Sequence, residues 1–594
     1  MFLKTFFQFI KEYGKGYKLK FFMIALFSLL MGGFEFLGLA LIFPFVMLLA
    51  GNNSILNIPL VNSLFDKLNL PLDTKTIAFV FCLVIVFIYI FKNIFMILCT
   101  KYQNKVMADF QFDLYSKTFK NLMNVPFTKF NKLSYGDKTT LLGNTLNSII
   151  WNFVYKVILL ISNGIIALCI LSFLFYKFPI PAFFTALFLA AFVYIEQLFF
   201  KKRAKKYGAE NLRLTKIQGS LFQYTMKGAK EIKISKNKDK FIEDVIQNFK
   251  ETNNSARLLT SNAAYPVYVT EIGIIISFGI LASLTFCLQS SASSFLVSSL
   301  AVIAAIVLRL VPILNKVQSS MFGINQSRSH ITWFMETVKK IESWVEEEPK
   351  SCSIPFNSSI KLTDVNFSYE NNKNFNLKDI NLEIKKGEFI GIVGLSGSGK
   401  TTLLDILTGL NTPSSGKLFI DDIEINKTNV KGLQNHISIL PQEFFLMPLS
   451  VIKNIAFGEN EDKIDREKIV SALKKADIYD AVKDLNKIPE LSHGQKHRLA
   501  LARAFYQDSD ILFLDEATSS LDIETEDRIS KTIAGLKGDK TIIAIAHRLS
   551  TLKECDALIY IKEGKIVDKG TFKELKEKYP DFENMLELST FNIP

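Results

Sequence analysis

The chain has 594 residues, of which 49% are hydrophobic, with a mean hydropathy of +0.22 and a formal charge of +13. That length exceeds one ordinary core, so two large units are expected. The lysine excess flanks long apolar runs, the positive-inside pattern, and no aromatic–basic interleaving points to nucleic acid, which is excluded as a partner. The six cysteines include no CxxC pair and signal neither a disulfide framework nor a metal site.

In chain order, six stretches are long and apolar enough to cross a bilayer as helix: 21–50, 77–100, 149–176, 179–200, 263–288 and 294–317. The first is too long for a signal-peptide core, lacks a small-residue cleavage site and reads as a retained span. Lysine-rich gaps at 101–148 and 201–262 place these gaps, the N-terminus and the C-terminal half in the cytoplasm. Both gaps keep helical spacing with few breakers, so the spans are expected to continue beyond the membrane and turn near Val125-Pro126-Phe127 and near 222–228. In the external gap 51–76, Leu60, Val61, Leu64, Phe65 and Leu68 fit a short amphipathic helix on the outer surface or a loop packed on the spans.

A charge at mid-membrane costs about 3 kcal/mol, so charged span residues are candidates for function. Lys156 and Glu196 lie near span ends and read as structural. Glu35, Lys92, Glu271 and Arg309 lie deeper; they are candidate cargo contacts, with ion pairing inside the bundle as the alternative.

The resulting organisation is an all-α transmembrane domain at 1–335, a polar, proline-containing linker at 336–358 and an α/β domain at 359–594. Within the α/β domain a strand at 389–393 leads into Gly394-Leu395-Ser396-Gly397-Ser398-Gly399-Lys400-Thr401, followed by a helix starting at Thr402. This is a phosphate-binding loop: glycines let backbone N–H groups face phosphates, Lys400 reaches the outer phosphates and Thr401 can hold Mg²⁺. A second apolar strand, Ile511-Leu512-Phe513-Leu514, ends in Asp515-Glu516. Asp515 is placed to hold Mg²⁺ and Glu516 to activate the attacking water.

With further residues the pattern resembles the ABC ATPase family across 359–594. Leu491-Ser492-His493-Gly494-Gln495 looks like its signature, Gln442 its Q-loop, Ser520-Leu521-Asp522 its D-loop, His547 its switch histidine and Tyr369 its adenine-stacking aromatic. The resemblance implies ATP and Mg²⁺, the metal held by Thr401, Gln442 and Asp515, with Glu516, Gln442 and His547 serving hydrolysis. It also implies that the signature of one copy closes over ATP bound by another, so a homodimer is expected. His493 departs from the family's glycine, and 481–490 is shorter than the usual stretch before the signature. Six spans ahead of one such domain resemble a half-exporter, expected in a bacterial inner membrane. The membrane half is also similar, through Phe34-Glu35-Phe36-Leu37-Gly38, the stretch around Glu271 and Leu308-Arg309-Leu310-Val311-Pro312, to bacterial lipid-linked oligosaccharide flippases. That implies a lipid-linked glycan or glycolipid cargo, with Lys92 and Arg309 near a pyrophosphate, although a further basic position in those flippases is Val267 here. Export of lipid A, drugs or peptides is the alternative.

Overall fold

The computed structural model describes residues 2–49, 74–177, 179–288, 293–345, 353–369, 372–516, 522–545, 553–580 and 582. They form two compact units, one of residues 1–123 and 132–343, the other of 124–131 and 344–594.

The first unit is helical. After α1 (Phe2–Tyr13) come α2 (Lys18–Leu49), α3 (Thr74–Met123), α4 (Tyr155–Lys177), α5 (Pro179–Lys227), α6 (Lys238–Leu288), α7 (Ser293–Gln326) and α8 (Arg328–Trp344). Five of the described helices are long and apolar enough to span a membrane, and α7 covers the sixth expected stretch. On α3, Phe79, Phe87, Phe91 and Ile97 are exposed, as side chains facing lipid are. Inward-facing residues form a common core: Ile166, Ile170 and Phe173 of α4 meet Ala182 of α5, Leu281 of α6 and Leu310 and Ile313 of α7. The amphipathic α1 buries Phe9 edge-on against Phe110 and Phe334.

α3, α5 and α6 continue past their apolar segments, as their spacing requires. The first turn lies where expected, at Asn124 to Pro126 before a short helix Phe127–Phe130. The second begins at the end of the expected stretch and extends past it: α5 runs unbroken to Lys227, and the reversal occupies Gly228, the helix Ala229–Ile234 and residues 235–237. Helix α8 occupies the first part of the segment read as linker, because Ile331, Phe334, Val338 and Ile341 give it a buried face. The amphipathic stretch at 60–68 lies outside the described residues.

The second unit holds two sheets. Strands β1 (Ser359–Tyr369), β2 (Asn372–Lys385), β4 (Ser415–Ile420) and β5 (Ile423–Ile425) make an antiparallel sheet in the order β2-β1-β4-β5. Strands β3 (Phe389–Val393), β6 (Ile437–Leu440), β7 (Ile511–Asp515), β8 (Thr541–Ile545), β9 (Ala557–Lys562) and β10 (Lys565–Gly570) form the other, ordered β10-β9-β3-β8-β7-β6. Every residue of β3, β7 and β8 is buried, which explains their unbroken apolar runs. Because β3, β6, β7 and β8 are parallel, their C-terminal ends emerge together, the place where open α/β sheets bind ligands.

Candidate functional site

At that edge lies a cleft of about 380 Å³ lined by Tyr369, Ser396, Gly397, Gly399, Lys400, Thr401, Thr402, Gln442, Asp515, Glu516 and Ile545. The loop after β3 is shaped by glycine. Gly397 and Gly399 have φ of +78° and +110°, and a Cβ on Gly394 would sit 2.3 Å from the Ile561 carbonyl oxygen. Helix α9 (Lys400–Leu407) starts directly from the loop, two residues earlier than expected.

Lys400 is 8% exposed and its Nζ donates to the carbonyls of Gly394 (2.8 Å) and Leu395 (3.1 Å). Burial lowers its basicity, while Glu516 and Asp515 oppose that shift. Ser398 Oγ is buried with no hydrogen-bond partner among the described residues, packed against Gly394. Leu395 is exposed at the loop tip.

Asp515 is 5% exposed, and its carboxyl is pushed up to about 6 by burial first, then by Glu516, with Lys400 opposing. Glu516 takes φ +55° and its N–H donates to the Ile545 carbonyl at 3.2 Å. Such a turn holds the carboxylate at the cleft wall. The residues expected to hold Mg²⁺, Thr401, Gln442 and Asp515, all line the cleft, an oxygen set suited to a hard cation. Tyr369 lines it too, its hydroxyl 3.3 Å from Thr402 Oγ1.

One neighbour went unread in the sequence. On α9, the Asp405 carboxyl is raised to about 6 by burial and by Asp515. It lies outside the loop motif, and no local pattern announces it.

Ser492, His493, Gly494 and Gln495 are not among the residues lining this cleft. They open α10 (His493–Gln507), where Gln495 N–H donates to Ser492 Oγ and Ser492 N–H to Gln495 Oε1. This reciprocal cap fixes the start of the helix. Asp522 caps α11 (Ile523–Ala534) by accepting from the Thr525 N–H. Ser520, Leu521 and His547 lie outside the described residues.

In the helical unit, Lys92 and Arg309 converge on one ring. Lys92 Nζ lies 4.7 Å and Arg309 Cζ 4.9 Å from the centroid of Tyr89, and Lys92 is 2% exposed. Gly38 makes room: a Cβ there would press on the Tyr89 ring at 3.1 Å. Tyr89 was not singled out in the sequence, although it stands one turn before Lys92. Glu271 is exposed, with Asn315 Nδ2 3.5 Å from its Oε1; among the described residues Arg309 makes no ion pair with it. Glu35 lies in α2, its side chain outside the described set.

Glu196 does not reach toward a span end. It is 4% exposed and accepts from Gln318 Nε2 (2.6 Å) and Thr270 Oγ1 (3.1 Å), a buried polar contact joining α5, α6 and α7. Lys156 Nζ donates to Ser319 Oγ at 3.2 Å.

Residues 39–311 match the ABC transporter transmembrane region and residues 377–519 the ABC transporter ATPase family. The chain belongs to the ABC transporters, with a membrane domain fused to an ATPase domain. It is 34% identical over 284 residues to the beta-(1→2)glucan export ATP-binding/permease protein of Agrobacterium fabrum, a match covering 45% of this chain and 48% of that protein. The chain thus spans about half the length of the first curated relatives it matches. A longer match, 27% identical over 80% of this chain and 78% of the relative, is to the ATP-dependent lipid A-core flippase of Francisella tularensis. The fold is that of a bacterial Atm1-family ABC exporter solved with ATP bound, at a TM-score of 0.77, 20% identity and coverage of 96% of this chain and 98% of that one.

Proposed function

We propose that the chain is an ATP-driven flippase that works as a homodimer in a bacterial inner membrane. Its proposed cargo is a lipid-linked oligosaccharide or related glycolipid, moved outward, with both termini cytoplasmic. The observation that carries the cargo reading is the convergence of Lys92 and Arg309 on Tyr89. A guanidinium and an ammonium each within 5 Å of one ring centroid at span depth suit an anionic lipid phosphate, which a guanidinium can engage through paired N–H donors. The relatives named as lipid A-core flippase and glucan exporter support a glycan-bearing cargo.

In the ATPase domain, Tyr369 would support the base and the loop 394–401 cradle the phosphates, with Thr402 beside it and Lys400, whose Nζ bonds the Gly394 and Leu395 carbonyls, at the cleft. Thr401, Gln442 and Asp515 would hold Mg²⁺, which would neutralise phosphate charge when bound. Glu516 orients and deprotonates the attacking water, and Gln442 and His547 read the outer phosphate. The turn 492–495, being outside its own cleft, serves the nucleotide of the second copy; its helix start favours anions.

The test is ATPase activity of the purified chain in proteoliposomes containing lipid-linked sugars, lipid A or uncharged amphipathic drugs. Stimulation by the lipid-linked sugars is expected. Stimulation by uncharged drugs alone overturns the cargo assignment, and activity that needs a different half-transporter overturns the homodimer.

A further inference from the structure

Phe444 links the strand leading to Gln442 with the helix that begins at the 492–495 turn, and we infer that it is a positioning residue for ATP hydrolysis. The inference rests on the ATP-site reading above. Phe444 lies two residues past Gln442, which lines the cleft. Its ring stacks on His497 with centroids 5.2 Å apart and planes 4° from parallel. The same ring meets His493 edge-on at 5.8 Å and 60°. His493 and His497 are four apart on α10 and so share one face.

One aromatic ring is therefore held by two imidazoles, one at the helix start and the other a turn inside it. Aromatic contacts of this kind are directional: they fix an angle as well as a distance. His497 is 4% exposed, and burial pushes its imidazole down to about 4, so its ring is neutral near pH 7. Phe444 also packs against the buried cluster containing Leu499, Ala500 and Ile455. The bulk of His493, where the family has glycine, thus touches the chain segment that carries Gln442. If Gln442 faces one nucleotide and the 492–495 turn another, this stack sets their spacing within a single copy. A displacement near 1 Å costs up to roughly 10²-fold in rate, so the loss belongs in kcat.

The experiment uses the full chain in proteoliposomes, with steady-state ATPase and binding of a fluorescent ATP analogue. Phe444→Leu keeps bulk but loses the ring; kcat is expected to fall about tenfold with KM and analogue affinity within about twofold of wild type. Phe444→Tyr, which keeps the ring, should recover most of the rate. Unchanged kcat in Phe444→Leu, or a rise in KM alone, overturns the role. If Phe444→Leu does not fold, His493→Ala at its exposed position carries the test: a fall in kcat at constant KM, rescued by His493→Phe, supports the stack, and no change overturns it. Glu516→Gln in the same preparation separates the two readings. Wild-type turnover there defeats the ATP-site reading itself; loss there, with normal Phe444→Leu and His493→Ala, defeats only the positioning role.

Discussion

Two lysines, Lys400 and Lys92, are both buried at candidate binding sites, at 8% and 2% exposure, yet their surroundings differ in kind. Lys400 donates to two backbone carbonyls within six residues of itself. Lys92 lies against the face of Tyr89, which Arg309 approaches from a helix more than 200 residues away. A carbonyl cradle fixes a donor's position through local backbone geometry, so its sequence spacing is rigid. An aromatic face attracts any cation near it and leaves direction loose. The first arrangement suits one chemistry; the second tolerates variation in what is bound.

The largest test of this contrast is Glu516→Gln, which should slow hydrolysis by roughly 10²–10⁴-fold while ATP binding persists, measured as turnover beside nucleotide affinity. Near-normal turnover would remove the nucleotide site from the comparison. Next, Arg309→Ala should abolish stimulation by lipid-linked sugar but spare basal hydrolysis, and Arg309→Lys should restore part of it, because an ammonium lacks the paired donors. Loss of folded yield instead would mark Arg309 as a packing cation.

A third test uses pH. The Asp515 carboxyl is raised to about 6; with Asp515 as the proposed Mg²⁺ ligand, protons would compete with the metal as pH falls through 6, and Mg²⁺ affinity should drop by up to about tenfold per pH unit below it. The sign for folding is opposite. A carboxyl with a raised folded value stabilises the nucleotide-free chain fully below its unfolded value near 4, and that contribution is lost as pH rises through 6. Thermal melts with and without Mg·ATP between pH 5 and 7 separate the two. The smallest effect is Tyr369→Phe: loss of one long contact to Thr402 is worth about 1 kcal/mol at most, so KM for ATP should rise no more than about fivefold.

The candidate cleft was legible because its parts are short, local patterns: a glycine loop between strand and helix, and two carboxylates ending an apolar strand. Spans were readable because bilayer thickness sets their length. What escaped shares one cause, assembly from distant segments. Tyr89 matters only through Gly38 and Arg309, and the partners that give Glu196 its structural role, Thr270 and Gln318, lie 74 and 122 residues away in the chain. The second turn was legible in part: it starts at Gly228, the end of the expected stretch, and runs on to residue 237.

The unbroken length of α3 has a mechanical consequence. Its 50 residues make a rod about 75 Å long at 1.5 Å per residue. A hydrocarbon core of ~30 Å grips less than half of it. The remaining ~45 Å is a lever arm, and a tilt of roughly five degrees within the bilayer sweeps its far end through about 4 Å. A motion too small to open a path through packed helices is thereby magnified, at the end of the rod, beyond the length of a hydrogen bond.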